Sequence, residues 1–221
     1  MLSMRRLALL VGVAVVMTRG MVAQAGPAYP LGRKAVCADA AVEVELNLAK
    51  AREGGSPTGV RDRAMAGARV TATFYGTPAV DLPGPLELYL PDRTWRQAEK
   101  RGRLRAIVFA GRPTGTPTLL FGVEGAPTDV DPDYAAVRAA VLRYARWRDR
   151  RSDPAVLAEA EKTLATTASR SIASLAWTFL CSSGHSDAIA RAAHLAPPSS
   201  PVATMVKDGA ACRSDLDCRD W

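Results

Sequence analysis

TDVDPDYAAVRAAVLRYARWRDR (Thr128–Arg150) is where the chain changes texture. Asp131 stands where a helix N-cap belongs, and Pro132 fits the first helical position. Val137, Val141 and Tyr144 then recur at helical spacing, and arginines crowd the end. Ser152-Asp153-Pro154 repeats the start signal and opens a helix through Leu157, Ala160 and Leu164. Ile172, Leu175, Ala176 and Phe179 mark a third apolar face. A short fourth helix is predicted from Asp187 to His194, closed by APPSSP (196–201).

Upstream of Thr128 the period is two. AVEVELNLAK (41–50) sets Val42, Val44, Leu46 and Leu48 on one face and Glu43, Glu45 and Asn47 on the other, a half-buried strand. EGGSPTGVRDRAMAG (53–67) reads as a polar loop rich in Gly. Further strands are predicted over 68–75, 86–90, 103–111 and 118–125. The third of these, RLRAIVFAG, is apolar enough in its middle to lie centrally. Residues 91–102 read as a short helix or a loop. With no helical period between most of these strands, parallel βαβ units are excluded. The expected class is α+β. A β-barrel-like domain over 26–127, either a five-stranded antiparallel meander or a small OB-like barrel, precedes a small helical bundle over 128–196. Residues 197–221 read as a Pro/Ser-rich linker, loosely ordered apart from a C-terminal cysteine loop.

Arg5-Arg6, the apolar run Leu7–Met17 and AQA before Gly26 form the three parts of a secretory signal peptide over residues 1–25, with cleavage near Ala25. The apolar run is about half the ~20 residues that a membrane-spanning helix needs. The expected location is therefore secreted or periplasmic. Removing Arg5, Arg6 and Arg19 lowers the formal net charge from +7 to +4. That charge is too mild and too dispersed for a nucleic-acid partner, and implies only a weak attraction to anionic surfaces. Asn47 is the only asparagine, while Ala and Arg abound, which is the signature of a GC-rich, bacterial coding sequence.

Cys37, Cys181, Cys212 and Cys218 all follow the presequence, and an even count in an oxidising compartment predicts two disulfide bonds. Three pairings are open. Nearness in sequence favours a local Cys212–Cys218 loop, leaving Cys37 for Cys181.

No cluster supports a catalytic, cofactor or metal site. Asp129, Asp131 and Asp133 resemble the front of a calcium loop, but Tyr134 and Ala140 occupy the places of its Gly and bidentate Glu. Helix capping accounts for these acids. Gly184-His185-Ser186-Asp187 puts triad residue types side by side, where they cannot converge, so Ser186 or Asp187 is expected as an N-cap. His185 and His194 fall on opposite faces of one helix. Arg138, Arg143, Arg146, Arg148, Arg150 and Arg151 are expected to form a solvated basic face, with a contact to an anion or an envelope lipid as the sharper alternative. Five residues between Cys212 and Cys218 fit neither redox nor zinc spacing.

CADAAVEVELNLAKA (37–51), LPGPLELYLP (82–91) and RGRLRAIVFAG (101–111) together resemble the netrin-like, OB-barrel modules of exported proteins. The resemblance implies a barrel entered through a cysteine and an exported setting. It does not imply the zinc chelation of that family's metalloproteinase inhibitors. Their cysteine is the mature N-terminal residue, whereas Cys37 lies eleven residues beyond Gly26.

The function these readings lead to is an exported, non-enzymatic binding or interaction module, with a protein or envelope component as partner and no cofactor. The alternative is an exported hydrolase with dispersed carboxylates, Glu87, Asp92 and Glu99 meeting across a cleft.

Overall fold

A helix precedes the first strand: α1 (Leu31–Cys37) leads into β1 (Ala40–Asn47). There follow β2 (Ala51–Gly54), β3 (Asp62–Met65), β4 (Arg69–Tyr75), β5 (Leu86–Leu88), α2 (Asp92–Arg101), β6 (Arg103–Gly111) and β7 (Leu119–Phe121). The remainder is helical: α3 (Tyr134–Arg148), α4 (Pro154–Thr166), α5 (Arg170–Ser182), α6 (Ser186–Leu195), α7 (Pro201–Lys207) and α8 (Cys212–Asp215). The computed structural model describes residues 31–48, 51–54, 62–65, 69–76, 86–88, 92–111, 119–121, 126–216 and 218. The predicted presequence and its cleavage site near Ala25 lie outside them.

The expected meander or OB-like barrel followed by a bundle is not what forms. The strands make one antiparallel sheet in the order β4-β1-β6-β7 and a separate ladder in the order β2-β3-β5. A meander pairs consecutive strands; here β1 pairs with β4 on one side and β6 on the other. Among the described residues the four-stranded sheet ends in β4 and β7, which do not pair, so the described strands close no barrel. Helices hold about twice as many described residues as strands; α1 lies unforeseen within the stretch expected to form the β-domain, and α2 falls where a short helix or a loop is expected. Alternation of side chains announces a strand but says nothing of its distant partner, and this is why the topology was misread. The polar stretch 53–67, read as loop, contributes to the β2–β3 pairing.

β6 is an inner strand, as its apolar middle predicts. Val42, Val44 and Leu46 of β1 stand opposite Val108, Ala106 and Leu104 of β6, and all six are buried. Ala98 is fully buried on α2, which packs against β6. The other sheet face, with Ala41, Phe74, Tyr75, Ile107 and Phe109, joins the helices in one apolar cluster.

α5 organises that cluster. Ala173 through Cys181 are all buried, and a helix buried all round belongs at the centre of its neighbours. α1, α3, α4, α6, α7 and α8 all contact it. Ser174 and Thr178 face α1 at very close range: a Cβ on Gly32 would lie 2.1 Å from the Ser174 carbonyl oxygen and 2.2 Å from Thr178 Oγ1. The Gly32 amide donates to Ser174 Oγ at 2.9 Å. Gly32→Ala is expected to cost about 2 kcal/mol in urea unfolding, as overpacking of a filled site does. An unchanged midpoint would mean that α1 does not rest on α5.

An aromatic chain ties sheet to helices. Tyr75 packs at 6.1 Å from Tyr144, which meets Phe179 edge-on, and Phe179 packs on Trp147 at 5.3 Å. The Tyr75 hydroxyl donates to the Ala35 carbonyl at 2.7 Å. Burial pushes the Tyr75 phenol well above its usual range and that of Tyr144 up to about 12.

Two disulfides close the fold, Cys37–Cys218 and Cys181–Cys212, with Cα–Cα distances of 5.5 and 5.2 Å. Two bridges were expected; the favoured local pairing was not found. α8 begins at Cys212 and packs against α5, which delivers that thiol to Cys181 and leaves Cys218 for the end of α1. The stretch read as linker also contains α7, capped by Ser200 with Pro201 at its start, and Val202 and Met205 are buried there.

Candidate functional site

The most heavily liganded acid in the described chain is one the alternation of β1 assigns to solvent. Glu43 is only 4% exposed. Its Oε1 accepts from Arg138 Nε and from the Tyr134 hydroxyl, each at 2.8 Å, and its Oε2 accepts from Thr71 Oγ1 at 3.1 Å. Tyr134 and Arg138 lie four apart on one face of α3, so the helix lays both across the strand. Arg138 also sits over the Phe74 ring, 5.6 Å from its centroid. Burial alone would raise the Glu43 carboxyl, but the bonds from Arg138, Tyr134 and Thr71 outweigh it and hold it below the ordinary value. Burial, then the bond to Glu43, pushes the Tyr134 phenol far up. A fully bonded carboxylate beneath a protonated phenol holds its proton inventory fixed at neutral pH. This constellation fastens α3 to the sheet.

Glu45, on the same strand, stands directly opposite Arg69 and Arg105 and pairs with both. The basic helix is also largely committed. Arg143 pairs with Glu159, Arg148 lies 4.6 Å from the Tyr75 ring centroid and Arg150 pairs with Asp153. Arg146 and Arg151 are exposed.

The three aspartates of 129–133 serve three separate ends. Asp129 accepts from the Arg105 amide, Asp131 from the amide and hydroxyl of Thr128, and Asp133 from Ser169 Oγ. The N-cap of α3 is Asp133, not Asp131, and its side chain makes no cap bond. Among the described residues no group of acids, His or Cys is arranged to hold a metal ion. At α6 the N-cap is His185, in place of Ser186 or Asp187, and Asp187 instead pairs with Arg191. Asp153, by contrast, caps α4 as its position before Pro154 predicts, accepting from the Ala155 amide at 2.8 Å. Of the three dispersed acids, Glu99 is exposed near the end of α2, Glu87 falls on β5 opposite Ala64, and Asp92 begins α2.

An unfilled surface lies among the described residues. Ala158, Glu161, Lys162, Ala165 and Thr166 form a single stripe along α4, and Leu195 and Pro197 face it from the α6–α7 junction. Between them lies an open groove of about 640 Å³, within the size range of small-ligand sites. Leu195 is 72% exposed, by far the most of any large apolar side chain described. The groove's acid is already engaged: Arg191 Nε and Nη2 donate to the two carboxylate oxygens of Glu161 at 2.9 and 2.8 Å. Lys162 is exposed, and its ammonium group makes no hydrogen bond or ion pair with the described residues.

No protein-family model, curated protein or solved structure matches this chain.

The groove escapes a reading of periodicity for a physical reason. Ala188, Ile189 and Ala192 bury the inner face of α6, and Leu195 continues that stripe three residues on. The helix ends there, so a residue in step with the core projects past its cover. Glu43 left a fainter trace: an acid between Val42 and Val44, matched by a Tyr and an Arg at helical spacing in α3.

Proposed function

We propose that this chain is an exported, non-enzymatic binding module, acting in the periplasm or outside the cell, that holds an apolar group of a partner in the groove between α4 and the α6–α7 junction. The exposed Leu195, facing Ala158 and Ala165 of α4 across the groove, carries the reading. An exposed large apolar side chain at a concave site favours a contact surface over a solvated one. The presequence pattern at residues 1–25 and the two disulfide bridges support the compartment, since such bridges persist where thiols are not kept reduced. Among the described residues no helix is long and apolar enough to cross a membrane.

The test is titration of the purified protein with 1-anilinonaphthalene-8-sulfonate. Saturable fluorescence enhancement is expected. Leu195→Glu is expected to weaken it by about ten-fold or more, because a charge replaces an apolar contact. Thermal stability should be unchanged, since the side chain is mostly in water. Dye binding indifferent to Leu195→Glu would overturn the assignment of the groove. Hydrolysis of ester, peptide or glycan substrates, abolished by substituting a pocket residue, would overturn the non-enzymatic reading.

A further inference from the structure

We propose that the occupant of this groove is a single-chain amphiphile with an anionic head, its acyl tail lying between α4 and Leu195 and its carboxylate meeting Lys162. The inference rests on the groove being the binding surface and adds the chemistry of what it binds.

Two observations carry it. The first is the shape and character of the surface. An open trough lined by Ala158, Ala165, Leu195 and Pro197 offers small and apolar residues against which a linear chain can lie. A wide aromatic platform, which would suit a planar ligand, is absent from its lining. The second is the state of the two charges beside it. Glu161 is clamped by both arms of the Arg191 guanidinium, and Arg191 is held in turn by Asp187 at 2.6 Å. That acid has its preferred cation already and repels little. Lys162, the next residue on the same helix, keeps its ammonium group in solvent with no acid bonded to it among the described residues. A ligand with an apolar body and a negative end therefore finds both complements together, and one with a positive end finds its counter-charge occupied. Four methylenes let the lysine head follow the ligand while its stem covers the tail.

The experiment compares two amphiphiles of equal tail and opposite head, laurate and undecyltrimethylammonium. Each is titrated below its micellar concentration into the whole protein by calorimetry at low salt. Laurate is expected to bind about five-fold more tightly, the size of preference that one partly exposed ion pair gives. Lys162→Glu should invert the preference, and 0.5 M salt should shrink it in the wild type. Leu195→Glu should abolish binding of both. Equal affinity for the two heads, or a preference that survives Lys162→Glu, overturns the anionic-head inference and leaves the groove reading standing. Failure of both amphiphiles to bind, or binding that persists in Leu195→Glu, overturns the groove reading itself. Circular-dichroism melts of each variant separate loss of binding from loss of fold.

Discussion

Arg138→Met destabilises the protein by about 3 kcal/mol at neutral pH, and by progressively less as acid protonates the Glu43 carboxyl of the variant. Removing the guanidinium leaves the Glu43 carboxylate buried with only Tyr134 and Thr71 as donors. Stripping one partner from a buried pair costs about 3–5 kcal/mol. The lower end applies because the Arg138 side chain is itself 38% exposed. The pH dependence follows from the carboxyl. In the wild type its folded pKa is depressed, so its contribution is present above the unfolded value of about 4.3 and lost as pH falls through the lower folded value. In the variant, burial dominates and lifts the folded pKa above the unfolded one. The charged form is then the liability, and acid relieves it by protonation. Urea midpoints from pH 7 to pH 3.5 should therefore converge for the two proteins. A gap constant across that range would show that Arg138 contributes packing on Phe74 and no charge pairing.

The second large effect concerns the bridges. Replacing Cys37 and Cys218 together by serine is expected to cost about 5 kcal/mol, and replacing Cys181 and Cys212 about 4 kcal/mol. These follow from chain-entropy scaling with sequence separations of 181 and 31 residues. The two losses differ in kind. Cys218 is exposed, so the outer bridge constrains the unfolded chain more than it fills the native one. Cys181 is 7% exposed and belongs to the apolar cluster, so its replacement also disturbs packing around α5. Removing the outer bridge should accordingly raise the urea m-value, because the unfolded chain expands and exposes more surface. Midpoints unchanged by the outer replacement would show that the closing of the long loop does not stabilise the fold.

Much of the helical half was legible because its signals are local. Asp153 before Pro154 starts α4, and the apolar spacing of Leu175, Ala176 and Phe179 identifies α5 as a core helix. The sheet was legible strand by strand: Val42, Val44 and Leu46 turn inward as their alternation demands. Its order was not, since β1 finds β6 across some sixty residues and nothing in either strand names the other. The same limit hid Glu43. Alternation says that two faces differ, and only the placement of α3 decides that the second face is also covered. Cysteine pairing failed likewise, through treating nearness along the chain as nearness in space, when α8 turns Cys212 away from Cys218. Of the candidate groove, α4 and α6 were foreseen; α7, read as linker, was not, nor was the exposure of Leu195, because its spacing is that of a core residue.

The outer bridge makes a covalent ring of residues 37 to 218, with the inner bridge closing a second ring within it. A protease that cuts once between Cys37 and Cys218 therefore releases nothing. The two pieces stay joined through sulfur, and noncovalent packing around α5 can keep them in register. Even a loop that is readily nicked would yield a product that migrates as intact until it is reduced.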